Sequence, residues 1–337
     1  MDKMRLGRTG LMVSRSGFGS IPIQRISRDD ARKLLLKAYE NGINFFDTAR
    51  GYSDSEEKIG YALSELRKNI IIATKTPAAD RKAFFQNLET SLRNLKTDYI
   101  DIYQLHNPKD FIDRGHELYE AMLEAKEKGM IRFIGFTNHR VETAEKAVLS
   151  GLYDTLQFPF NYLSSESELN LADMCREKDV GFIAMKALSG GLITTAATTF
   201  TFIRQYGNVV PIWGMQKENE LDEFIALEKN PPKLEGELLK QIEKDRKDLA
   251  GSFCRGCGYC TPCPVGIPIP VAARISLLVE RTPYQQYLSD EFKGKMELIN
   301  QCLDCGNCKS RCPYELDTPG LLRKMLKNYE EFYSLHK

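Results

Sequence analysis

The chain has 337 residues and a formal net charge of +1, because 47 lysines and arginines face 46 aspartates and glutamates. A charge this close to zero argues against nucleic acid or an anionic membrane surface as the main partner. Hydrophobic residues make up 42% and charged residues 28%, which is ordinary for a soluble globular protein. The sequence shows neither a secretory signal after Met1 nor an apolar run that predicts a membrane span, so we expect a cytoplasmic protein.

Cysteine usage changes sharply toward the C-terminus. Eight of the nine cysteines lie between Cys254 and Cys312. A chain of this length can hold one large barrel and a small second domain. The ninth cysteine, Cys175, falls in a predicted helix and is expected to be a buried small hydrophobe. The predicted organisation is a first domain over 1–230, a charged helical linker over 231–250 and a cysteine-rich domain over 251–337.

In the first domain, apolar segments of strand length alternate with amphipathic segments of helix length, after a hairpin signal at 6–11. The predicted strands are 16–20, 43–46, 70–73, 99–105, 131–136, 155–158, 180–184 and 209–213. The predicted helices are 29–41, 54–67, 80–95, 114–128, 141–150, 165–177, 196–206 and 218–228. Eight strand–helix units predict a (β/α)8 TIM barrel. A doubly wound open sheet is the weaker alternative, because Gly17-Phe18-Gly19 lacks the third glycine of its fingerprint.

Four titratable side chains follow the second, third and fourth predicted strands, where a barrel of this kind builds its active site. They are Asp47, Tyr52, Lys75 and His106. A tyrosine is a weak acid, and a nearby lysine ammonium would lower its pKa from about 10. Asp47 would hold Lys75 charged, and His106 would hydrogen-bond the substrate oxygen or the phenol. Each residue alone is more often structural, but the set predicts proton transfer to a carbonyl oxygen.

Two amides follow the next strands. Asn138 ends the fifth predicted strand and Gln157 the sixth. We expect them to contact the carboxamide of a nicotinamide that supplies hydride to the same carbonyl.

The segments that carry these residues resemble the aldo-keto reductase family over about residues 1–228. The matching segments are Leu6-Gly7-Arg8-Thr9-Gly10-Leu11, Asn44-Phe45-Phe46-Asp47-Thr48-Ala49 with Tyr52, Ala73-Thr74-Lys75, Leu105-His106 and Thr137-Asn138-His139. The family's tetrad of Asp, Tyr, Lys and His falls on the four side chains named above. The resemblance implies an (α/β)8 barrel that reduces a small aldehyde or ketone with NADP(H) or NAD(H).

The sequence departs from the family pattern in the last two loops. Met185 stands where the family has an aromatic residue on the nicotinamide. Glu220 and Phe224 stand where it has a basic residue for the adenosine phosphate and an Asn for the adenine. Phosphate candidates remain in these loops, and they are Lys186, Gly214 and Lys217. The choice between NADP(H) and NAD(H) stays open, and a flavin in the same cleft is a further alternative.

The cysteines form two runs. The first is Cys254-x2-Cys257-x2-Cys260-x2-Cys263-Pro264, and the second is Cys302-x2-Cys305-x2-Cys308-x3-Cys312-Pro313. These runs look like a two-cluster ferredoxin module, in which the fourth cysteine of each run crosses to the other cluster. That arrangement assigns Cys254, Cys257, Cys260 and Cys312 to one [4Fe-4S] cluster and Cys302, Cys305, Cys308 and Cys263 to the second. Two four-thiolate zinc sites are the alternative. Residues 270–300 are predicted to be helical, so the second domain should be small, mainly helical and ferredoxin-like.

Together the two domains predict an oxidoreductase of the aldo-keto reductase type whose clusters exchange electrons with ferredoxin or another electron-transfer protein. Clusters carry one electron each, and a barrel that only passes hydride has no use for them. The alternative function is a redox-sensing or regulatory protein that keeps the barrel as a nucleotide-binding scaffold with structural clusters. The intact tetrad favours the enzyme, because a scaffold has no need of all four groups.

Overall fold

A computed structural model describes residues 1–249, 253–281 and 284–337. The chain divides into two compact units, of which the first comprises 1–187 and 196–239 and the second 188–195 and 240–337. The predicted boundary between residues 250 and 251 lies outside the described residues. In the described part of the chain, none of the helices is long and apolar enough to cross a membrane.

The first unit is a closed barrel of parallel strands, preceded by an antiparallel hairpin. The hairpin strands are β1 (Lys3–Arg5) and β2 (Met12–Ser14). The barrel strands are β3 (Gly17–Gly19), β4 (Phe45–Asp47), β5 (Ile71–Thr76), β6 (Ile100–His106), β7 (Ile131–Thr137), β8 (Thr155–Pro159), β9 (Gly181–Met185) and β10 (Val209–Gly214). Each strand pairs with the next, and β10 pairs with β3 to close the barrel. The predicted (β/α)8 TIM barrel is confirmed.

A helix follows each barrel strand, as the apolar periodicity predicts. These helices are α1 (Arg28–Glu40), α2 (Ser55–Leu63), α3 (Arg81–Leu95), α4 (Glu117–Glu127), α5 (Val141–Leu149), α6 (Glu166–Glu177), α7 (Ala196–Arg204) and α8 (Glu218–Lys229). Side-chain caps explain where several begin: the hydroxyl of Ser27 accepts from the Asp30 N–H at the start of α1, and Ser165 with Glu168 forms a capping box on α6. The predicted helix over 54–67 ends earlier than expected, and the 3-10 helix Ser64–Asn69 continues it.

The hairpin closes the amino-terminal end of the barrel. Met4 and Val13 pack into one buried cluster with Phe45 and Ile71, the first residues of β4 and β5. The side chain of Asn44 also accepts from the Ser14 N–H at 2.6 Å, which ties the hairpin to the entrance of β4. The carboxyl ends of the strands are therefore the end of the barrel where the loops can form a site.

The second unit is small and mainly helical, as predicted. Its helices are α9 (Glu237–Asp248) from residue 240 onward, α10 (Ile269–Ala272), α11 (Ile275–Arg281), α12 (Asp290–Glu297), α13 (Asn307–Ser310) and α14 (Thr318–His336). Leu322 and Tyr329 of α14 form its core with Ile275 and Met296. Both cysteine runs pack against this core, so burial of these apolar side chains positions the cysteine loops.

Candidate active site and cysteine sites

A buried ion pair occupies the carboxyl end of β4 and β5. The Nζ atom of Lys75 donates to Asp47 Oδ1 and to the Thr48 carbonyl oxygen, each at 2.6 Å. The side chains of Lys75 and Asp47 are only 1% and 2% exposed. Burial raises the pKa of the Asp47 carboxyl above its ordinary value, and the Lys75 ammonium opposes that rise. The fold thus fixes an ammonium group inside the barrel mouth.

Two further members of the predicted tetrad converge on this ammonium. Tyr52 lies in the loop after β4, and Lys75 Nζ lies 5.2 Å from the centroid of its ring. His106, the last residue of β6, meets the Tyr52 ring edge-on, with 5.8 Å between the ring centroids. The structure therefore brings together Asp47, Tyr52, Lys75 and His106, as the sequence predicts.

The protonation states of the two rings follow from their burial. Burial raises the pKa of the Tyr52 hydroxyl above its ordinary value, and the positive charge of Lys75 opposes this rise without reversing it. The expectation that Lys75 lowers this pKa overall is wrong, because it left out the cost of desolvating a phenolate. Burial, assisted by Lys75, lowers the pKa of His106 to about 3. At neutral pH the site therefore holds a protonated phenol beside a neutral imidazole.

A pair of glutamines lies beneath the ion pair, and sequence reasoning found only one of them. Gln104 Nε2 donates to Gln157 Oε1 at 2.9 Å and lies 3.4 Å from Asp47 Oδ2. Gln157 Nε2 lies 3.4 Å from Asp47 Oδ1. Gln157 is the third residue of β8 rather than its end, and it is buried. Gln104 precedes His106 by two residues on β6, so the alternation of side chains along a strand is the signal that would have found it.

Four of the predicted nucleotide-binding residues, Asn138, Lys186, Gly214 and Lys217, lie at or after the carboxyl ends of β7, β9 and β10, whereas Gln157 lies within β8. The Asn138 N–H donates to the Gln157 carbonyl at 3.1 Å, so these two residues are neighbours. The Asn138 side chain donates to the Pro108 carbonyl at 3.0 Å and accepts from the backbone N–H groups of the next two residues. Lys186 follows β9, Gly214 ends β10 and Lys217 precedes α8.

The two departures at α8 have separate structural explanations. Phe224 is buried and stacks on Trp213, with 4.3 Å between ring centroids, so it belongs to the core. Glu220 Oε2 accepts from the N–H groups of Gln216 and Lys217 at 2.8 and 3.1 Å. A carboxylate therefore occupies the start of α8, where the free N–H groups of a helix favour anions.

A cavity of about 400 Å³ adjoins His106. It is lined by the segments that follow β5 and β6, which are 76–79, 105–112, His116 and Leu118. Small-molecule pockets generally begin at about 300 Å³. This space therefore suits a small substrate whose reacting group lies beside the His106 ring.

The eight clustered cysteines line two cavities in the second unit. Cys254, Cys257, Cys260 and Cys312 line the first. Cys263, Cys302, Cys305 and Cys308 line the second, which Cys260 also borders. Each cavity thus receives three cysteines of one run and the fourth of the other, in the crossed arrangement expected for two clusters. Among the described residues, no three His, Cys, Asp or Glu side chains are grouped so as to hold a single metal ion.

The backbone of both cysteine loops fits a cluster. Gly256 and Asp304 occupy the same place in their runs, between the first and second cysteine, and both have positive φ angles of 62° and 48°. The Gly256 N–H points at Cys254 Sγ, 3.4 Å away. Burial raises the pKa of the Cys260 thiol to about 12, so a thiolate there needs a cationic partner. The donor set and the turns both suit thiolate-bound iron.

Two segments of the chain match known protein families. Residues 15–201, more than half of the chain, match the aldo/keto reductase family. Residues 253–317, which include both cysteine runs, match a 4Fe-4S dicluster domain. These two matches agree with the barrel and with the pair of cysteine-lined cavities.

Individual relatives point the same way for the barrel. The chain is 30% identical over 222 residues to the aldo-keto reductase YhdN of Bacillus subtilis, covering 60% of this chain and 67% of that one. It is 28% identical over 265 residues to an NADH-specific methylglyoxal reductase of Escherichia coli, covering 69% and 80%. A solved aldo-keto reductase of Bacillus halodurans, in its holo form, superposes with a TM-score of 0.64 at 23% identity, covering 73% and 96%. That likeness shows the fold.

Proposed function

The chain belongs to the aldo-keto reductase family, and from this premise we propose that it reduces a small carbonyl compound with Tyr52 as the general acid. Its cysteine-rich unit would exchange electrons through two [4Fe-4S] clusters with ferredoxin or another electron-transfer protein. The observation that carries the carbonyl chemistry is the buried ammonium of Lys75, held by Asp47 and lying 5.2 Å from the Tyr52 ring.

The nucleotide would be held by Asn138, Gln157, Lys186, Gly214 and Lys217, of which Gln157 lies within β8 and the others lie at or beyond strand ends. A bound nicotinamide nucleotide supplies the hydride. Tyr52 gives its hydroxyl proton to the carbonyl oxygen as negative charge develops there. Lys75 stabilises the phenolate that remains, and the Asp47 carboxylate keeps this ammonium in place.

His106 assists without changing its charge. Because its pKa lies near 3, the ring is neutral at physiological pH and one ring nitrogen keeps its proton. That N–H can donate a hydrogen bond to the substrate oxygen and orient the carbonyl toward Tyr52. The cavity that His106 lines leaves room for the rest of a small substrate beside this ring.

We also propose that the nucleotide is NADH rather than NADPH. The Glu220 carboxylate accepts the N–H groups of Gln216 and Lys217, at the position where the family pattern has a basic residue for the adenosine phosphate. A 2′-phosphate placed there would lose those donors and would meet a like charge. Glu218 and Asp222 add negative charge to the same end of α8, although both pair with Lys37.

The arrangement of the cysteines supports electron transfer between the two clusters. Cys260 borders both cavities, so two clusters would be neighbours within the second unit. Each cluster takes one electron, so the two together would hold the two electrons of one hydride in a turnover in which that hydride does not go to the carbonyl. Splitting a hydride into single electrons needs a group such as a flavin, which is one result that the experiment below would reveal.

The test compares wild-type protein with Tyr52→Phe under anaerobic conditions, with NADH and small aldehydes as substrates. Loss of the proton donor should reduce turnover by roughly 10²–10⁴-fold. Tyr61→Phe, on α2, is the matched control and should keep wild-type turnover. Full activity of Tyr52→Phe would refute the general-acid role, whereas wild-type protein without any turnover would favour the redox sensor.

The same samples test the electron path. Bleaching of the visible iron–sulfur absorbance by NADH would support coupling and would call for a search for bound flavin. Clusters that dithionite reduces but NADH does not would refute the coupling and leave the carbonyl chemistry untouched.

A further inference from the structure

One cationic side chain of the second unit lies against the first cysteine run and has no part in the chemistry above. Arg274 lies between α10 and α11. Its Nε donates to the Pro270 carbonyl at 2.8 Å, and its Nη1 donates to the Gly190 carbonyl at 3.1 Å. Gly190 belongs to the segment 188–195 of the same unit. Two backbone carbonyls therefore fix the guanidinium in one position.

The Arg274 guanidinium packs against Gly256, which lies between the first two cysteines of the first run. A Cβ atom added to Gly256 would lie 2.6 Å from Arg274 Cζ, so only a glycine allows the contact. The Gly256 N–H in turn points at Cys254 Sγ, 3.4 Å away. Arg274 also interacts electrostatically with the sulfurs of Cys254 and Cys257. A fixed positive charge therefore lies against the residue that joins the first two cysteines of the first site.

The second site is built differently at the same place. Asp304 replaces Gly256 in the run, and its carboxylate pairs with Arg323. The two side chains are 59% and 54% exposed, so their opposite charges largely cancel and solvent screens the remainder. In the described part of the chain, Arg274 takes part in no ion pair with a carboxylate. Between the first two cysteines of the run, the first site thus has a cation without a carboxylate partner among the described residues, whereas the second has an ion pair.

We propose that Arg274 raises the reduction potential of the cluster held by Cys254, Cys257, Cys260 and Cys312. The inference rests on the proposed assignment of these cysteines to one [4Fe-4S] cluster. Uptake of one electron makes the site more negative by one charge, and a cation packed against the cysteine loop stabilises the reduced form. Nearby charge is one of the factors that set cluster potentials. Arg323 also interacts electrostatically with Cys302 of the second site, but the Asp304 carboxylate and solvent offset most of its charge there.

The test is an anaerobic redox titration of the full-length protein, with dithionite as electron donor and electron paramagnetic resonance as the readout. Arg274→Gln should lower the equilibrium constant for reduction of the first cluster about tenfold, which is ~59 mV for a one-electron couple. The second cluster should keep its potential. Arg274→Lys keeps the charge and should shift the first potential by less. Arg323→Gln is the matched control and should leave the first potential unchanged.

Iron content, measured first, separates this inference from the assignment beneath it. Wild-type protein with clearly fewer than about eight irons per chain would refute the two-cluster assignment itself. Fully loaded Arg274→Gln with both potentials unchanged would overturn the role of Arg274 alone. If Arg274→Gln loses iron, Arg274→Met is titrated instead. Loss of iron in both neutral variants, with full loading of Arg274→Lys, would make Arg274 an anchor of the loop and overturn its role in setting the potential.

Discussion

The barrel mouth and the cysteine loops arrange their polar groups in opposite ways. Lys75 and Asp47 come from adjacent strands, are almost fully buried and neutralise each other within the protein. The cysteine side chains come from short loops and face two cavities, and Cys305 is exposed. The first site is therefore stabilised by strand packing and by its own ion pair. The second depends on a metal centre to bind thiol groups that the protein does not otherwise pair.

Removal of iron should have the largest effect, because it should destabilise the second unit and leave the barrel intact. The helices α10 and α13 have four residues each, too short to be stable without tertiary support. Metal binding at structural sites contributes on the order of 10 kcal/mol to folding. Chelation of iron under mild oxidation should therefore strip hydrogen-exchange protection from residues 253–317 and leave β4 to β6 protected. Protection that survives in both units after iron loss would contradict the contrast.

Single cysteine variants supply the control for that experiment. Cys257→Ser should lose iron from one site and destabilise the second unit. Cys175 lies in α6 and is buried, as the sequence predicts, so the Cys175→Ala variant should keep its full iron content. Iron loss in both variants would mean that the effect is not specific to the cavities.

The two regions also differ in how far the sequence predicts them. The barrel and its tetrad follow from periodicity and from the residue types at strand ends, since parallel strands bring those ends together. Gln104 was missed because one polar residue inside a buried strand gives only the weak signal of alternation. The predicted direction of the pKa shift of Tyr52 was wrong, because a spacing pattern does not show how desolvation compares with the charge of Lys75. Both errors concern the surroundings of side chains inside the barrel, which the order of residues in the sequence does not show.

The cysteine sites are easier to predict from the sequence, because the spacing of the cysteines itself indicates which of them share a site. The crossed assignment of Cys263 and Cys312 follows from the ferredoxin-like pattern, and the two cavities agree with it. The placement of 188–195 in the second unit has no sequence signal, because it depends on tertiary contacts such as that of Arg274 with Gly190.

Acid should weaken the barrel site through His106, with a smaller effect than iron removal. Its pKa is about 3 in the folded protein and about 6.5 when unfolded, so below pH 6.5 the unfolded chain binds more protons. The contribution of neutral His106 to stability is therefore complete above pH 6.5 and is lost as the pH falls toward 3. After allowance for partial exposure, we expect the free energy of unfolding to fall by about 1 kcal/mol per pH unit.

The measurement is urea denaturation of the barrel between pH 7 and pH 4, for wild-type protein and for His106→Gln. Wild-type should lose stability more steeply, because the glutamine does not titrate. Asp47 has a raised pKa and acts in the opposite direction in both proteins, so it cancels in the difference. Equal slopes for wild-type and His106→Gln would show that the ring is not desolvated in solution.

The smallest expected effect concerns nucleotide selection at the start of α8, in the proposed nucleotide-binding half of the barrel mouth. Glu220 holds two backbone N–H groups at the start of α8, and its carboxylate should repel a 2′-phosphate. Glu220→Gln keeps a side-chain oxygen as acceptor for these N–H groups but removes the charge. We expect the ratio of kcat/KM for NADPH to that for NADH to rise about tenfold, which is about 1.4 kcal/mol of transition-state stabilisation. Glu223→Gln, on the exposed face of the same helix, should leave the ratio unchanged. An equal rise in both variants would assign the preference to the general charge of α8, whereas an unchanged ratio in Glu220→Gln would place nucleotide selection outside this helix.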